Sequence, residues 1–199
     1  AQGESEISPL EALPRLSDFV GELGFSGYQD LGFDQLLLVE GATEVRTIQQ
    51  FLRQFGKEHR IVIIPLGGSA LINGGRDLEL QELKRISPNV AAIIDSERNS
   101  ETAALGIERE DFRKICAANA INCCVLQRRA TENYLTDAAV KKVKGPKYSA
   151  LGPYESLEGL SPSWAKSENW RIAREMHIDD IQGTDLGAFL KNLCSATDK

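Results

Sequence analysis

The chain's 199 residues, 42% hydrophobic and 26% charged, suffice for one domain with a full core, or one domain and a small appendage. A net charge of −6 excludes a protein that holds nucleic acid by bulk charge alone, since non-specific affinity comes largely from Lys and Arg neutralising phosphates. No stretch approaches the ~20 apolar residues of a membrane span, and the opening AQGESEISP lacks the charged-then-apolar pattern of a secretory signal. Met176 is the only methionine, so Ala1 is not a translation start, as expected of a processed chain or a piece of a larger protein. Cys116, Cys123, Cys124 and Cys194 have neither metal-finger nor redox spacing. The adjacent pair in AINCCVL reads as small buried thiols, which fits a reducing cytoplasm.

Taken in chain order, short apolar runs alternate with longer amphipathic stretches. Leu10, Leu13, Leu16, Phe19, Val20 and Leu23 predict a helix over 8–24. Leu36 to Val39 is a predicted strand, and Thr43 is the expected cap of a helix to about Phe55 with Val45, Ile48, Phe51, Leu52 and Phe55 as its buried stripe. Arg60 to Leu66 is a second strand, ended by Pro65 and a Gly67-Gly68 turn. A helix from Asp77 to Ile86, a strand from Val90 to Ile94, a helix from Arg109 to Ala120 and a strand from Ile121 to Leu126 follow. Helix-linked strands of this kind make right-handed parallel crossovers, so residues 36 to about 126 are expected to form an α/β sandwich on a mostly parallel four-stranded sheet.

Beyond Leu126 the character changes. QRRATENYL leads into a short helix, and KKVKGPKYSALGPYESLEGLSP reads as a mobile loop rich in Lys, Gly, Pro and Ser. Ser161-Pro162 has the form of an N-cap with Pro at the first helical position, predicting a helix to about Met176, and a last helix is expected near Asp185 to Leu193. The organisation expected is thus an N-terminal helical extension (1–33), an α/β domain (34–135), a basic Gly/Pro loop region (136–160) and a C-terminal helical region (161–199).

Two acidic motifs stand at strand ends. LLLVEGATE puts Glu40 where the first strand stops and Glu44 one helical turn on; VAAIIDSE puts Asp95 and Glu97 at the end of another. Ligand sites in open α/β sheets gather outside the carboxyl ends of the strands, so neighbouring parallel strands ending this way bring four carboxylates together. Such a cluster calls for cations, and all-oxygen ligands suit Mg²⁺ or Mn²⁺, metals that mostly serve phosphate chemistry. Glu40 and Asp95 are the leading ligand candidates, the plainer alternative for each being a helix-capping acid. Gly41 is expected to permit a tight turn and close phosphate approach. For Glu44 the plainer alternative is stabilisation by the helix dipole.

LLLVEGATE, the PLGG after the next strand, IIDSE and RRATENYL, in this order, resemble the topoisomerase-primase (TOPRIM) domain and, more specifically, the nuclease region of the overcoming-lysogenization-defect (OLD) family. The likeness covers about residues 34 to 135, more loosely from Ser161 onward. It implies a TOPRIM-type fold and a DNA nuclease using two divalent ions, Mg²⁺ or Mn²⁺, roughly 4 Å apart, normally attached behind an ABC-type ATPase domain. GGSALINGG lacks the Walker A lysine, so the chain is expected to be the nuclease portion alone. The usual acidic pair is Asp-x-Asp, whereas here Glu97 is the second acid, a ligand directly or through water.

The resemblance also favours Glu132 as a further metal ligand over a surface ion pair. Arg128 and Arg129 are candidate phosphate contacts, with solvated charge as the alternative. Lys166, expected in the first turns of a helix between Trp164 and Trp170, gains nothing from the dipole there, and a cation suits the developing charge of phosphodiester cleavage; the alternative is a surface lysine. Lys141, Lys142, Lys144 and Lys147 serve either DNA-backbone contact or plain solubility.

Other chemistries fit less well. His59 and His177 are the only histidines and form no zinc pattern, and Ser69 lacks the G-x-S-x-G context. The rival readings are a TOPRIM enzyme acting on RNA, a topoisomerase-like one, and a non-catalytic nucleic-acid or protein interaction module. None of Tyr28, Tyr134, Tyr148 and Tyr154 lies in a recognisable nucleophile motif, and a scaffold has no need of four concentrated acids.

Overall fold

The run QLLLV is buried at every position, as a strand covered on both faces must be. A computed structural model describes residues 33–67 and 77–196, and places this run as β1 (Gln35–Val39) in a wholly parallel four-stranded sheet with β2 (Ile61–Pro65), β3 (Val90–Ile94) and β4 (Asn122–Val125). The strand order is β2-β1-β3-β4. The chain steps from β1 outward to β2, then crosses back to lay β3 on the other side of β1. This makes the β1/β3 boundary the point where the winding reverses, and the crevice beyond the strand ends opens there.

Alternation along the strands divides the core. Leu37, Val39, Ala91 and Ile93 face α1 (Ala42–Gln54) and the C-terminal helices, while Leu36, Leu38, Ala92 and Ile94 face α2 (Asp77–Ile86) and α3 (Ile107–Ala118). The C-terminal helices are α4 (Asp137–Lys144), α5 (Asn169–Arg174), α6 (Ile178–Ile181) and α7 (Asp185–Ser195), making seven helices among the described residues. Gln54 at the end of α1 donates to the carbonyls of Ala173 (3.3 Å) and Met176 (2.8 Å), which closes the end of α5. Gly187 lets α7 lie against α6, since a Cβ there would stand 1.9 Å from the carbonyl oxygen of Ile181.

The α/β order and the parallel sheet match the sequence expectation, with strand and helix bounds within two residues throughout the sandwich. Four local expectations are corrected. Helix α1 starts before Thr43, with Gly41 as N-cap, and the Thr43 hydroxyl donates to Glu44 instead of capping. Gly41 itself is extended (φ −148°, ψ 180°), so the turn does not require glycine. The short helix expected after QRRATENYL is α4, with Ala139 and Val140 buried, but it runs on through Lys141–Lys144, the start of the segment expected as a loop; Leu151 and Leu157 then anchor the residues after Gly145 in the core. The helix expected from Pro162 begins only at a 3₁₀ turn, Lys166–Glu168, leading into α5. Trp164 accounts for this: it is buried, its Nε1 donates 2.9 Å to the buried Asn169 Oδ1, and Ala165 after it is extended (φ −78°, ψ 139°). The helix expected over 8–24 and the second glycine of the Gly67-Gly68 turn lie outside the described residues; Gly67 has φ +87°, as a turn glycine would. Among the described residues no helix is long and apolar enough to cross a membrane.

Candidate metal and phosphodiester site

Val39 pairs with Ile93 across β1 and β3, so the residues that follow emerge side by side at the reversal point. Glu40 Oε1 accepts a 2.9 Å hydrogen bond from the Asp95 backbone N–H, joining the two acidic motifs directly. Asp95 is buried, and its Oδ1 accepts from both the backbone N–H (3.0 Å) and the hydroxyl (3.2 Å) of Thr131. The next residue, Glu132, sits in the 3₁₀ turn Thr131–Tyr134, and its Oε1 pairs with Lys166 Nζ at 2.9 Å. Glu44, in the first turn of α1, accepts from the Thr43 hydroxyl through Oε1 at 2.8 Å. Its Oε2 lies beside Gly41, where an added Cβ would approach to 3.0 Å.

A pattern runs through these four carboxylates. Each spends one oxygen on a donor from the protein, and no protein donor among the described residues meets the other. For Glu132 the remaining Oε2 is also sealed from solvent with no partner. A buried carboxylate oxygen left so is costly unless something positive meets it.

The four acids and Lys166 act on one another electrostatically. Burial, then the charges of Glu40, Glu132 and Glu44, hold the Asp95 carboxyl well above the usual carboxylate range, against the pull of Lys166. Glu40 is raised chiefly by burial, with Glu44 and Glu97 adding to the shift and Arg109 and the Asp95 N–H opposing it. Burial disfavours the Lys166 cation, but Glu132, Asp95 and Glu44 outweigh it and raise its pKa. Among the described residues no three His, Cys, Asp or Glu side chains already stand as a preformed metal-holding group. The physical reason is visible in the contacts: each acid is turned toward its own N–H, hydroxyl or ammonium donor.

Glu97 stands apart from the other acids. It takes a left-handed backbone (φ +54°), its N–H donates to the Arg129 carbonyl at 2.9 Å, and its carboxylate pairs with the Arg129 guanidinium at 2.7 Å. Arg128 is likewise engaged, donating to the Asn133 carbonyl (2.6 Å) and stacking 4.8 Å from the Tyr134 ring centroid. Lys141 pairs with Asp137 at 2.6 Å and Lys142 with Glu175 at 2.8 Å, both on the surface and both able to exchange at little cost. Arg98 differs from all of these: its Nε is sealed from solvent and has no hydrogen-bond partner among the described residues.

Three residues that hold the site were not foreseen. Thr131 clamps Asp95, and Arg109 reaches from α3 to donate 2.8 Å to the Asp95 carbonyl and to stand 3.7 Å from Glu40 Oε1. Asp185, at the start of α7, accepts from the Tyr134 hydroxyl (2.7 Å) and the Gln127 N–H (2.8 Å), tying the end of the turn that carries Glu132 to the chain that leads into it from β4. Thr131 and Asp185 have no sequence signal beyond polarity. Arg109 had one: a cation in the first turn of a helix opposes the dipole and needs another reason to be there.

The thiols are ordinary. Cys116 and Cys194 are buried, Cys123 and Cys124 half-buried on β4, and none of the four forms a disulfide. A hydrogen bond of the neutral Cys123 thiol to Cys116, together with burial, pushes that thiol far up, while burial pushes Cys124 up to about 12, so neither is a ready nucleophile.

No protein-family model, curated protein or solved structure matches the chain.

Proposed function

We propose that this chain is a Mg²⁺- or Mn²⁺-dependent DNA endonuclease, the nuclease portion of an OLD-type protein in which an ABC-type ATPase domain precedes it. The observation that carries the reading is the buried, unpartnered Glu132 Oε2 within a cluster of half-used carboxylates at the reversal point of a parallel sheet. An all-oxygen donor set of this kind fits hard divalent cations.

Glu40, Glu44, Asp95 and Glu132 would hold two ions through their unspent oxygens. Glu97, released from Arg129, would join them directly or through water. Divalent ions held there would supply Lewis-acid polarisation and charge neutralisation for a phosphodiester. The protein's own part is to orient. Thr131 and the Asp95 N–H fix which oxygens of Asp95 and Glu40 stay inside the protein. Lys166 is half exposed while paired to Glu132, so its ammonium can face both the acids and a phosphate, where it offsets the charge that develops during cleavage.

The test is incubation of supercoiled plasmid with Mg²⁺, Mn²⁺, Ca²⁺ or EDTA. Nicking or linearisation is expected with Mn²⁺ or Mg²⁺, poor activity with the loosely coordinating Ca²⁺, and none with EDTA. Full activity in EDTA, or none with any metal at high protein concentration, would sink the reading. Cleavage of an RNA strand in preference to DNA would move it to the RNA-acting alternative.

A further inference from the structure

Arg109 is the third residue of α3, in the turn where a cation opposes the helix dipole. It is nonetheless tucked in, with its side chain 13% exposed against 14% for Glu40. Its Nε donates 2.8 Å to the Asp95 carbonyl, which anchors the guanidinium to the end of β3. From that anchor Nη2 stands 3.7 Å from Glu40 Oε1, the same oxygen that accepts the Asp95 N–H at 2.9 Å. Two positive groups therefore converge on one oxygen of Glu40, and Oε2 is left over.

We infer that Arg109 is a positioning residue: it pins Glu40 through Oε1 so that the carboxylate offers Oε2 alone to a divalent ion. This role rests on the metal-dependent reading above. Glu44 and Glu97 both push on the Glu40 charge, so without the guanidinium a single backbone N–H must hold the carboxylate against two like charges. The planar, rigid fork of Arg bonds a carbonyl with one nitrogen and faces a carboxylate with another; an ammonium at the end of a flexible stem lacks that geometry. Groups that orient a metal ligand in this way typically change metal affinity by about 10- to 100-fold when removed.

The experiment compares Arg109→Gln and Arg109→Lys with the unaltered chain, using calorimetric Mn²⁺ binding without DNA and single-turnover plasmid cleavage across Mn²⁺ concentrations. Arg109→Gln is expected to raise the Mn²⁺ concentration for binding and half-maximal cleavage by about 10- to 100-fold. The rate at saturating Mn²⁺ should return to within several-fold of the original, because positioning and not chemistry is lost. Arg109→Lys should recover only part of the affinity; should the Gln variant fail to fold by thermal melting, this one carries the comparison. Unchanged Mn²⁺ affinity in both variants overturns the assignment. So does a lost rate at saturating Mn²⁺ together with a salt slope of DNA binding reduced by about one, which would put Arg109 on a phosphate instead. No Mn²⁺ binding by the unaltered chain overturns the metal reading itself, a distinct result.

Discussion

Lys166 and Glu132 meet at 2.9 Å from two separate 3₁₀ turns, Glu132 almost wholly buried and Lys166 half exposed. The pair places an ammonium that acts on Asp95 beside the acid cluster. Lys166→Ala should lower single-turnover cleavage by roughly 10²- to 10³-fold, the usual loss for a positioned donor at developing charge. Calorimetric Mn²⁺ binding should persist. Wild-type cleavage by this variant would demote Lys166 to a surface lysine, and lost Mn²⁺ binding would mean that Glu132 had been disturbed.

Acids held together without a counter-ion predict a strong metal response in stability. At about 100 times its dissociation constant, Mn²⁺ adds about 2.7 kcal/mol. For a chain of this size that corresponds to a Tm rise of roughly 5–10 °C. Asp95→Asn should shrink the shift and raise Tm in EDTA, because it removes the charge most opposed by its surroundings. Differential scanning fluorimetry with and without Mn²⁺ reads both effects; an undiminished shift in Asp95→Asn and Glu40→Gln alike would move the ion elsewhere.

The pH dependence follows with a definite sign. Asp95 and Glu40 bind protons more tightly in the folded chain than in the unfolded one. Their favourable contribution is present below the ordinary carboxylate pKa of about 4 and is lost as pH rises through their raised values. Urea melts in EDTA should therefore show Asp95→Asn gaining on the original chain as pH rises from about 4 through the neutral range, with little difference at the acid end. A constant difference across that range would mean that Asp95 is not raised. Since protons compete for the same oxygens, Mn²⁺ affinity should climb over the same interval.

Arg98 and Lys142 separate two ways a cation can meet DNA. Lys142 is exposed and already paired with Glu175, whereas the Arg98 Nε is sealed and meets no acceptor among the described residues. Arg98→Ala should lower the slope of log affinity against log salt by about one, while Lys142→Ala should change it less. Fluorescence anisotropy with a labelled duplex in Ca²⁺ measures the slopes; equal slopes for Arg98→Ala and the original chain would place Arg98 off the DNA path.

The strands and their terminal acids were legible because both obey short-range rules. A run such as LLLV or VAAII between turn signals has few alternatives to a buried parallel strand, and strand-end acids follow from where the run stops. The order of strands was less so, and with it the reason that Glu40 and Asp95 touch: that depends on β3 returning beside β1, a choice made by the whole sheet. Trp164 shows where local rules fail. Ser161-Pro162 has the form of a helix start, yet burying an indole and bonding its N–H to Asn169 outweighed it. Thr131 and Asp185 were invisible for a related reason, since their importance lies in a partner far along the chain and not in their own neighbourhood.

Asp185 also bears on how this chain can be divided. By holding Tyr134 and the Gln127 N–H, the first residue of the last helix sets the height of the turn that presents Glu132, and Leu186 and Leu190 beside it lie in the same core as Leu37 and Ile93. The acid cluster and the C-terminal helices are therefore one inheritance: a recombination or a protease cut between Gly159 and Asn169 would leave two fragments, neither of which retains the site. Any partner attached to this chain must accommodate it whole.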